Sequence, residues 1–417
     1  MKNWRVNDIL RFDMQKFEKL VVNGKSYSVT QHDRDKCFIE DKENSLIIFI
    51  YDYKNWQQSE AVESAYVCGS FNSWVENPDF KMTYCEPLSL QFVAVDFSKL
   101  SEIGNSGHPE YKFCINGSYL SLEDVDFVPA GYIFPSSDKN LALIYSDENL
   151  DDVIRQFEIA GRIKTLADFD LTTRLGQEEI SNFRLVPGTK KLFRSFHPFY
   201  STGGRSMRFD TEKKRIEYVQ KLAVEEGIKS DINLTDDYTV FAGEEISWLD
   251  GTEGQIEIPE YYQKIIDSKS VCNVMSSLGI VPTYDYVYTK STDKLFYEWV
   301  RVIVDFIIDD SHEAPFQIHC AIGTDRTGVF CALLGALCGA SWDEVCEDYQ
   351  KTNRMGIREY RSKILLSQSF RKLLGVDDVS KVGDLQKALW NHFTGEKLDG
   401  EPVLSREKLE ALVAKLN

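Results

Sequence analysis

The sequence predicts a multidomain chain: a β-sandwich, then an α/β domain, then a helical tail. Three observations lead there. At 417 residues the chain is longer than one hydrophobic core usually spans. Its first part, to about residue 147, is built of short alternating apolar runs broken by turn residues. Beyond it strand-like and helix-like runs alternate, and one of them, Pro315 to Leu337, reads as a strand, a tight loop and a buried helix.

Composition narrows the function. The formal net charge is −18 and the isoelectric point about 4.9, which argues against nucleic acid or an anionic membrane as partner. Nine cysteines, an odd number without Cys-x-x-Cys pairs, suit a reducing cytosol better than a disulfide framework. Cysteines and histidines nowhere cluster at ligand spacing, so no metal is expected. Met1-Lys2-Asn3-Trp4 opens no apolar signal region, and no run approaches the ~18 apolar residues of a membrane span, so the expectation is a cytoplasmic protein.

In the first domain, residues 1–147, the strand candidates are Ser45–Tyr51, Ala65–Cys68, Gln91–Val95, Glu110–Cys114 and Asn140–Tyr145. Asn105-Ser106-Gly107 and Asn116-Gly117 are turn signals, the second a good hairpin tip. The opening residues are expected to hold a small helix and added strands. Ser146 to Asp152 is acidic and poor in apolar residues, and marks the boundary to a second domain, 148–375. There, Asp210 or Thr211 can cap a helix running to about Glu226, and Lys229–Leu234 follows as a strand. Residues 238–290 are irregular around a helix near Glu260–Ile266. Between Asp293 and Asp309, Leu295, Phe296, Trp299, Val302, Ile303 and Phe306 share one helical face, expected to pack on the sheet. Ser341 and Glu344 form a capping box opening the helix Trp342–Lys351. The tail, 376–417, reads as helices.

The chemistry concentrates in Gln317-Ile318-His319-Cys320-Ala321-Ile322-Gly323-Thr324-Asp325-Arg326-Thr327-Gly328. A loop between a buried strand and a helix can turn its backbone N–H groups inward as a nest, with the helix N-terminus aimed at the same point. A cysteine in that field ionises easily. Arg326 can grip two oxygens of a phosphate, Thr327 can offer a hydroxyl to the sulfur, and Gly323 and Gly328 permit the tight backbone.

Cys-x5-Arg-Thr after a histidine resembles the signature of cysteine-dependent protein tyrosine phosphatases, and His-Cys-x-x-Gly-x-Asp-Arg-Thr-Gly resembles their bacterial and fungal branch. Three further stretches share that resemblance, one of them Asp348-Tyr349-Gln350-Lys351-Thr352-Asn353, similar to the branch's Asp-Tyr-x-x-Ser-Asn. Asn182-Phe183-Arg184 followed by Leu192-Phe193-Arg194-Ser195 is similar to the branch's Asn-Phe-Arg … Leu-x-Arg-Ser, an element that borders the active site, so Arg194 is expected to add positive charge to the pocket. Gly227 to Thr235 is similar to Gly-Ile-x-x-Val-Ile-Asp-Leu-Arg, with Asn233 and Thr235 in place of the aspartate and arginine.

The first domain carries a second resemblance. Gly69-Ser70-Phe71-Asn72-Ser73-Trp74 and Tyr111-Lys112-Phe113-Cys114-Ile115-Asn116-Gly117-Ser118-Tyr119 are similar to the glycogen- and starch-binding sandwich modules of the AMP-activated kinase β-subunit and isoamylase-type enzymes. This implies an Ig-like sandwich whose sugar-contacting positions are Trp74, Lys112, Tyr119 and Asn140. Tyr119 stands where those modules have a second tryptophan.

The expected reaction is hydrolysis of phosphate monoesters through a phosphocysteine, by a tyrosine or dual-specificity phosphatase without cofactor. Cys320 is the nucleophile and Arg326 the oxyanion ligand. Ala321, Ile322, Gly323, Thr324, Thr327 and Arg194 bind phosphate. Asp325 is the first candidate for the acid that protonates the leaving oxygen, with Asp236, Asp237 and Asp250 as alternatives, since no Trp-Pro-Asp string is present. Thr324 lies where relatives often carry lysine, which tilts the substrate from phosphoinositides toward a phosphotyrosine protein. A phosphoglucan substrate directed by the first domain, and a non-catalytic phosphate-binding adaptor, are the alternatives; partners are then a phosphorylated protein or small phosphomonoester, and a glucan.

Overall fold

The computed structural model describes residues 19–417 apart from 105, 124, 136–138, 202–203, 280–285 and 359, and leaves aside the side chains of 276 and 277. The opening residues and Asn105, on which expectations were placed, lie outside the described residues. Contacts divide the chain into two compact units: Met1–Gly161 with Arg358–Tyr360, and Arg162–Ile357 with Arg361–Asn417.

The first unit is β-rich. Its strands are β1 (Lys19–Val22), β2 (Lys25–Ser28), β3 (Phe38–Asp41), β4 (Leu46–Asp52), β5 (Ala65–Gly69), β6 (Thr83–Cys85), β7 (Leu90–Asp96), β8 (Glu110–Ile115), β9 (Ser118–Tyr119), β10 (Ile133–Phe134) and β11 (Asn140–Ala142). One antiparallel sheet has the order β3-β4-β7-β6; the other runs β10-β11-β8-β5, with β9 paired to β8. Alternation sends Phe49, Tyr51 and Val95 from the first sheet, and Val67, Tyr111, Phe113 and Leu141 from the second, into one core. The Leu-Ile-Ile-Phe-Ile-Tyr run of β4 is apolar on both faces because Ile48 and Ile50 pack against Leu20, Val22 and Tyr27 of the β1–β2 hairpin. Asn116 and Gly117, at φ +50° and +77°, make the two-residue turn between β8 and β9.

Helix α1 (Gln31–Lys36) opens on a Thr30 cap. Helix α2 (Leu150–Gly161) begins inside the acidic stretch that reads as a domain boundary. Its Asp151 and Asp152 occupy the first turn, where they complement the helix dipole, and Val153, Phe157 and Ala160 bury a stripe in the first unit's core.

The second unit is α/β. In chain order it has α3 (Arg174–Ser181), β12 (Arg184–Leu185), β13 (Leu192–Ser195), α4 (Glu212–Glu225), β14 (Ser230–Asn233), α5 (Tyr238–Phe241), β15 (Glu245–Ser247), β16 (Glu253–Gln255), α6 (Glu260–Asp267), β17 (Val271–Asn273), α7 (Val274–Leu278), α8 (Tyr286–Thr289), α9 (Lys294–Ile308), β18 (Phe316–His319), α10 (Asp325–Leu337), α11 (Trp342–Lys351), α12 (Lys363–Leu374), α13 (Leu385–Gly395), β19 (Lys397–Leu398), β20 (Glu401–Pro402) and α14 (Arg406–Leu416). The main sheet has the order β12-β13-β18-β14-β17, parallel except for β12. Strand β18 lies between β13 and β14, so the loop after it opens at the carboxyl edge, where α/β sheets place ligands.

Helix α9 buries Phe296, Tyr297, Trp299, Val300, Ile303, Val304 and Ile307, a stripe shifted from the expected one. Its Phe296 stacks on Phe330 of α10, so the helix packs against the helix that follows the loop. The tail closes this unit: Gln386 Nε2 and Trp390 Nε1 both donate to the Leu337 carbonyl, satisfying the last turn of α10. Among the described residues no helix is long and apolar enough to cross a membrane.

Candidate active site

Strands β13, β14 and β18 are buried at every position, yet they carry Arg194, Ser195, Ser230, Asp231, Asn233, Gln317 and His319. A buried parallel sheet is normally a run of Val, Ile and Leu. The polar residues therefore need partners: Arg194 and His319 find theirs at the Gly323 and Cys320 carbonyls of the loop Cys320–Arg326, while Gln317 bonds Ser195 and Ser230 the Glu313 carbonyl.

Cys320 follows β18 directly and is 3 % exposed. The Gly323 amide points at its sulfur, N to Sγ 3.3 Å. Burial opposes ionisation most strongly. The Arg326 charge, the Thr327 hydroxyl and the Thr327 and Ile322 amides together outweigh it and hold the thiol below its ordinary pKa. Arg326 is half-buried and donates from Nη1 to the Leu234 carbonyl at 2.9 Å, which ties it to the end of β14. One buried polar atom of this loop, Arg326 Nε, has no hydrogen-bond partner among the described residues. Thr324 is buried, caps α10 without a side-chain bond, and gives its hydroxyl to Asp325.

The loop is gripped from behind. Gly323 sits at φ +79°, and a Cβ there would lie 2.2 Å from the Ser195 carbonyl oxygen. The Gly323 carbonyl accepts from Asn182 Nδ2 at 2.9 Å and from Arg194 Nη2 at 2.8 Å. Arg194 is fully buried on β13, with Nη1 on Asp348 at 2.7 Å, so its charge lies behind the loop. Arg184 gives Nε to the other Asp348 oxygen at 2.5 Å. Burial would raise the Asp348 pKa, but the Arg184 and Arg194 charges prevail and hold it below the usual carboxylate value.

Asp325, at the first turn of α10, is held on both oxygens. Arg361 Nε lies 2.7 Å from Oδ1 and Arg361 Nη2 donates to Oδ2 at 2.7 Å. The Tyr288 hydroxyl donates to Oδ1 at 2.7 Å and the Thr324 hydroxyl to Oδ2 at 3.0 Å. The other acid candidates differ in freedom. Asp237 caps α5 through Thr239. Asp250 sits in the β15–β16 turn, bonded to Thr252 and paired with Lys213. Asp236 is half-buried, two residues beyond the Leu234 carbonyl that holds Arg326, and its carboxylate makes no hydrogen bond or ion pair among the described residues. Asn233 shapes that turn, donating to the Asp236 carbonyl and accepting from the Thr235 amide.

Residues 275–394 match the model of the tyrosine phosphatase family. This segment supports a cysteine-type phosphatase domain. It takes in β18, the loop, α10, Asp348 and Arg361, while Asn182, Arg184 and Arg194 reach the loop from outside it. No curated protein matches the chain.

Arg361, Tyr288 and Asp231 were missed in the sequence. Only Asp231 left a signal there, a charge inside an otherwise strand-like run.

In the first unit, Lys112 on β8 lies opposite Cys68, and Tyr119 on β9 opposite Cys114. Alternation turns both away from the core that holds Tyr111 and Phe113, and the β11 register puts Asn140 on the same face. Tyr119 is 50 % exposed and its hydroxyl donates to the Trp74 carbonyl. Asn140 Nδ2 donates to Glu110 at 2.7 Å. Lys112, Tyr119 and Asn140 thus share one face of one sheet, and the Trp74 backbone meets the Tyr119 hydroxyl.

Proposed function

We propose that this chain hydrolyses phosphate monoesters through a phosphocysteine on Cys320, with protein phosphotyrosine as its first substrate class. The observation that carries the reading is the sulfur held toward thiolate beside an unpartnered buried donor, Arg326 Nε. An anion of phosphate geometry satisfies it.

The steps are an in-line displacement and its reversal by water. The Cys320 thiolate attacks phosphorus, forming the S–P bond as the bond to the leaving oxygen breaks. Arg326 and the loop amides carry the charge on the equatorial oxygens. Asp325 is already bonded on both oxygens, which favours a role in anchoring the loop. Asp236 is the better acid: it gives its proton to the leaving oxygen, then takes one from the water that cleaves S–P and frees the thiolate.

An aryl substrate fits the flank of the loop. Ile322 and Trp248 both pack on the cluster of Phe196, Ile216 and Val219, which sets an apolar wall beside Cys320. Thr324, buried and neutral, supplies no cation for a multiply phosphorylated head group.

A second reading concerns the first unit. The shared face of Lys112, Tyr119 and Asn140, with Trp74 at its edge, supports an Ig-like glycogen-binding-type module and hence a phosphoglucan substrate. The deciding experiment is phosphate release by wild type and Cys320→Ser on an aryl phosphate, a phosphotyrosine peptide, phosphorylated amylopectin and an inositol phosphate. Turnover by the wild type and loss beyond ~10²-fold in the variant support the mechanism, and the best substrate chooses between the readings. No turnover of any substrate by the wild type refutes the enzyme and leaves a phosphate-binding adaptor.

A further inference from the structure

His319, immediately before the nucleophile, is fully buried, and both its ring nitrogens face oxygen. Nδ1 lies 3.2 Å from the Cys320 carbonyl and Nε2 lies 3.1 Å from Asp231 Oδ2. A carbonyl only accepts, so Nδ1 carries a proton. Asp231 Oδ2 accepts from the Tyr262 hydroxyl at 2.8 Å, and as a carboxylate it only accepts, so Nε2 is the donor there as well. A ring that donates from both nitrogens is an imidazolium.

We propose that Asp231 is a positioning residue that holds His319 doubly protonated, fixing a cation directly behind Cys320. The inference rests on the phosphatase reading of that cysteine. Asp231 sits on β14 with no exposure, beside β18. Valine would fill a buried strand without a desolvated charge, and a buried ion pair is commonly no more stabilising than apolar residues of similar size. Asp231 Oδ1 is moreover left without a hydrogen bond. Packing therefore does not account for the carboxylate, whereas a charge requirement at His319 does.

The other groups around the pair are consistent with one cation and one anion. His197 meets His319 edge-on, ring centroids 4.6 Å apart, and its Nδ1 accepts from the Phe199 and Tyr200 amides. Burial and the His319 charge keep it neutral, far below the ordinary histidine pKa. On α6, Tyr262 donates to Asp231 and Tyr261 lies on Gln317; both phenols are pushed well up, mainly by burial. Cys272 on β17 is pushed up to about 12 by burial and by Asp231. For His319 itself burial opposes the charge, and Asp231, the Cys320 carbonyl and the Cys320 sulfur outweigh it, so its pKa is raised.

Two measurements test this, neither needing turnover. The first is NMR titration of the His319 ring in wild type and Asp231→Asn. The wild-type ring stays doubly protonated through neutral pH, and the variant's midpoint falls by at least about one unit. The second is the pH dependence of iodoacetamide alkylation at Cys320. Loss of the adjacent cation moves the thiol midpoint up by about one unit, roughly tenfold in thiolate at a given pH below it. A wild-type His319 that is neutral at pH 7, or a thiol midpoint that does not rise in a folded variant, overturns the proposal. Should Asp231→Asn fail to fold, the wild-type titration decides alone. A chain that turns over no phosphate yet shows both shifts would refute the enzyme reading and retain this one.

Discussion

Gly323→Ala tests whether the loop works as a rigid cradle. Two costs can be read from the structure. Gly323 holds φ +79°, where an L-residue is strained by roughly 1–2 kcal/mol. The new methyl would also start 2.2 Å from the Ser195 carbonyl oxygen, whereas real contacts of this kind begin near 3.0 Å, so loop and strand end must part by about 0.8 Å. Neither side yields readily, because the Gly323 carbonyl is held by Asn182 and Arg194, and β13 is hydrogen-bonded to β18. A misplacement of about 1 Å at reacting atoms costs on the order of 10²-fold. The expected result is a kcat/KM for an aryl phosphate lowered by about that factor, with a urea midpoint reduced by the equivalent of about 1–3 kcal/mol. Slower alkylation of Cys320 should accompany it, since the Gly323 amide faces the sulfur. A variant within threefold of wild type in kcat/KM and unchanged in urea would refute the argument that this contact fixes the loop.

Asp348→Asn removes the charge shared by Arg184 and Arg194, and leaving buried guanidinium groups unpaired should cost roughly 3–5 kcal/mol, read as a lower urea midpoint for the second unit; a loss under about 1 kcal/mol would contradict that pairing. Iodoacetamide at pH 7 should label Cys320 before the other buried cysteines, because burial pushes Cys68 up to about 11 and Cys114, Cys272, Cys331, Cys338 and Cys346 up to about 12; peptide mapping that finds one of these modified first would overturn it. In the first unit, His108 Nδ1 lies 3.3 Å from a Glu148 oxygen, with burial pushing the carboxyl up to about 7 and the imidazole down to about 4, so the contact is between neutral groups. The raised carboxyl makes the folded state more stable at low pH, an effect lost as pH rises through about 7, while the depressed imidazole gives stability that is lost as pH falls through about 4. The two drifts oppose each other in wild type. His108→Asn should leave only the first, so that this unit's thermal midpoint falls as pH rises from about 4.5 to about 7; a rise over that window would refute the assignment.

What could be read in advance divides by sequence distance. Cys320 to Thr327 is one continuous string, and a nest followed by a helix N-terminus can be inferred from its spacing alone. The strands of the first unit announce themselves through alternation, and Asn116-Gly117 through its turn chemistry. Asp325 shows the limit. The motif places it beside Arg326, but whether it serves as an acid or an anchor depends on Arg361 and Tyr288, 36 and 37 residues away. Asp348 meets Arg194 across 154 residues. The helix over Leu150–Gly161 went unread for a different reason: an acidic opening reads equally as a domain boundary or as the first turn of a helix, and only the buried stripe of Val153, Phe157 and Ala160 separates the two.

The position of Arg194 shows how an anion cradle is built without placing every cation in it. A peptide group is planar and trans, so its C=O and N–H point in opposite directions. Asn182 and Arg194 take the Gly323 carbonyl from behind the loop. The N–H of the same peptide, that of Thr324, is thereby turned to the opposite side, toward the hollow where the Gly323 amide meets the Cys320 sulfur. A buried guanidinium thus acts at the front of the loop by orienting a dipole. Its own charge is paired behind the loop with Asp348, which Arg184 shares, and Arg326 is the cation of the loop itself. This division suits a chain of net charge −18: the site needs a local positive field, and a rigid array of amides supplies it without exposing further cations to an acidic surface.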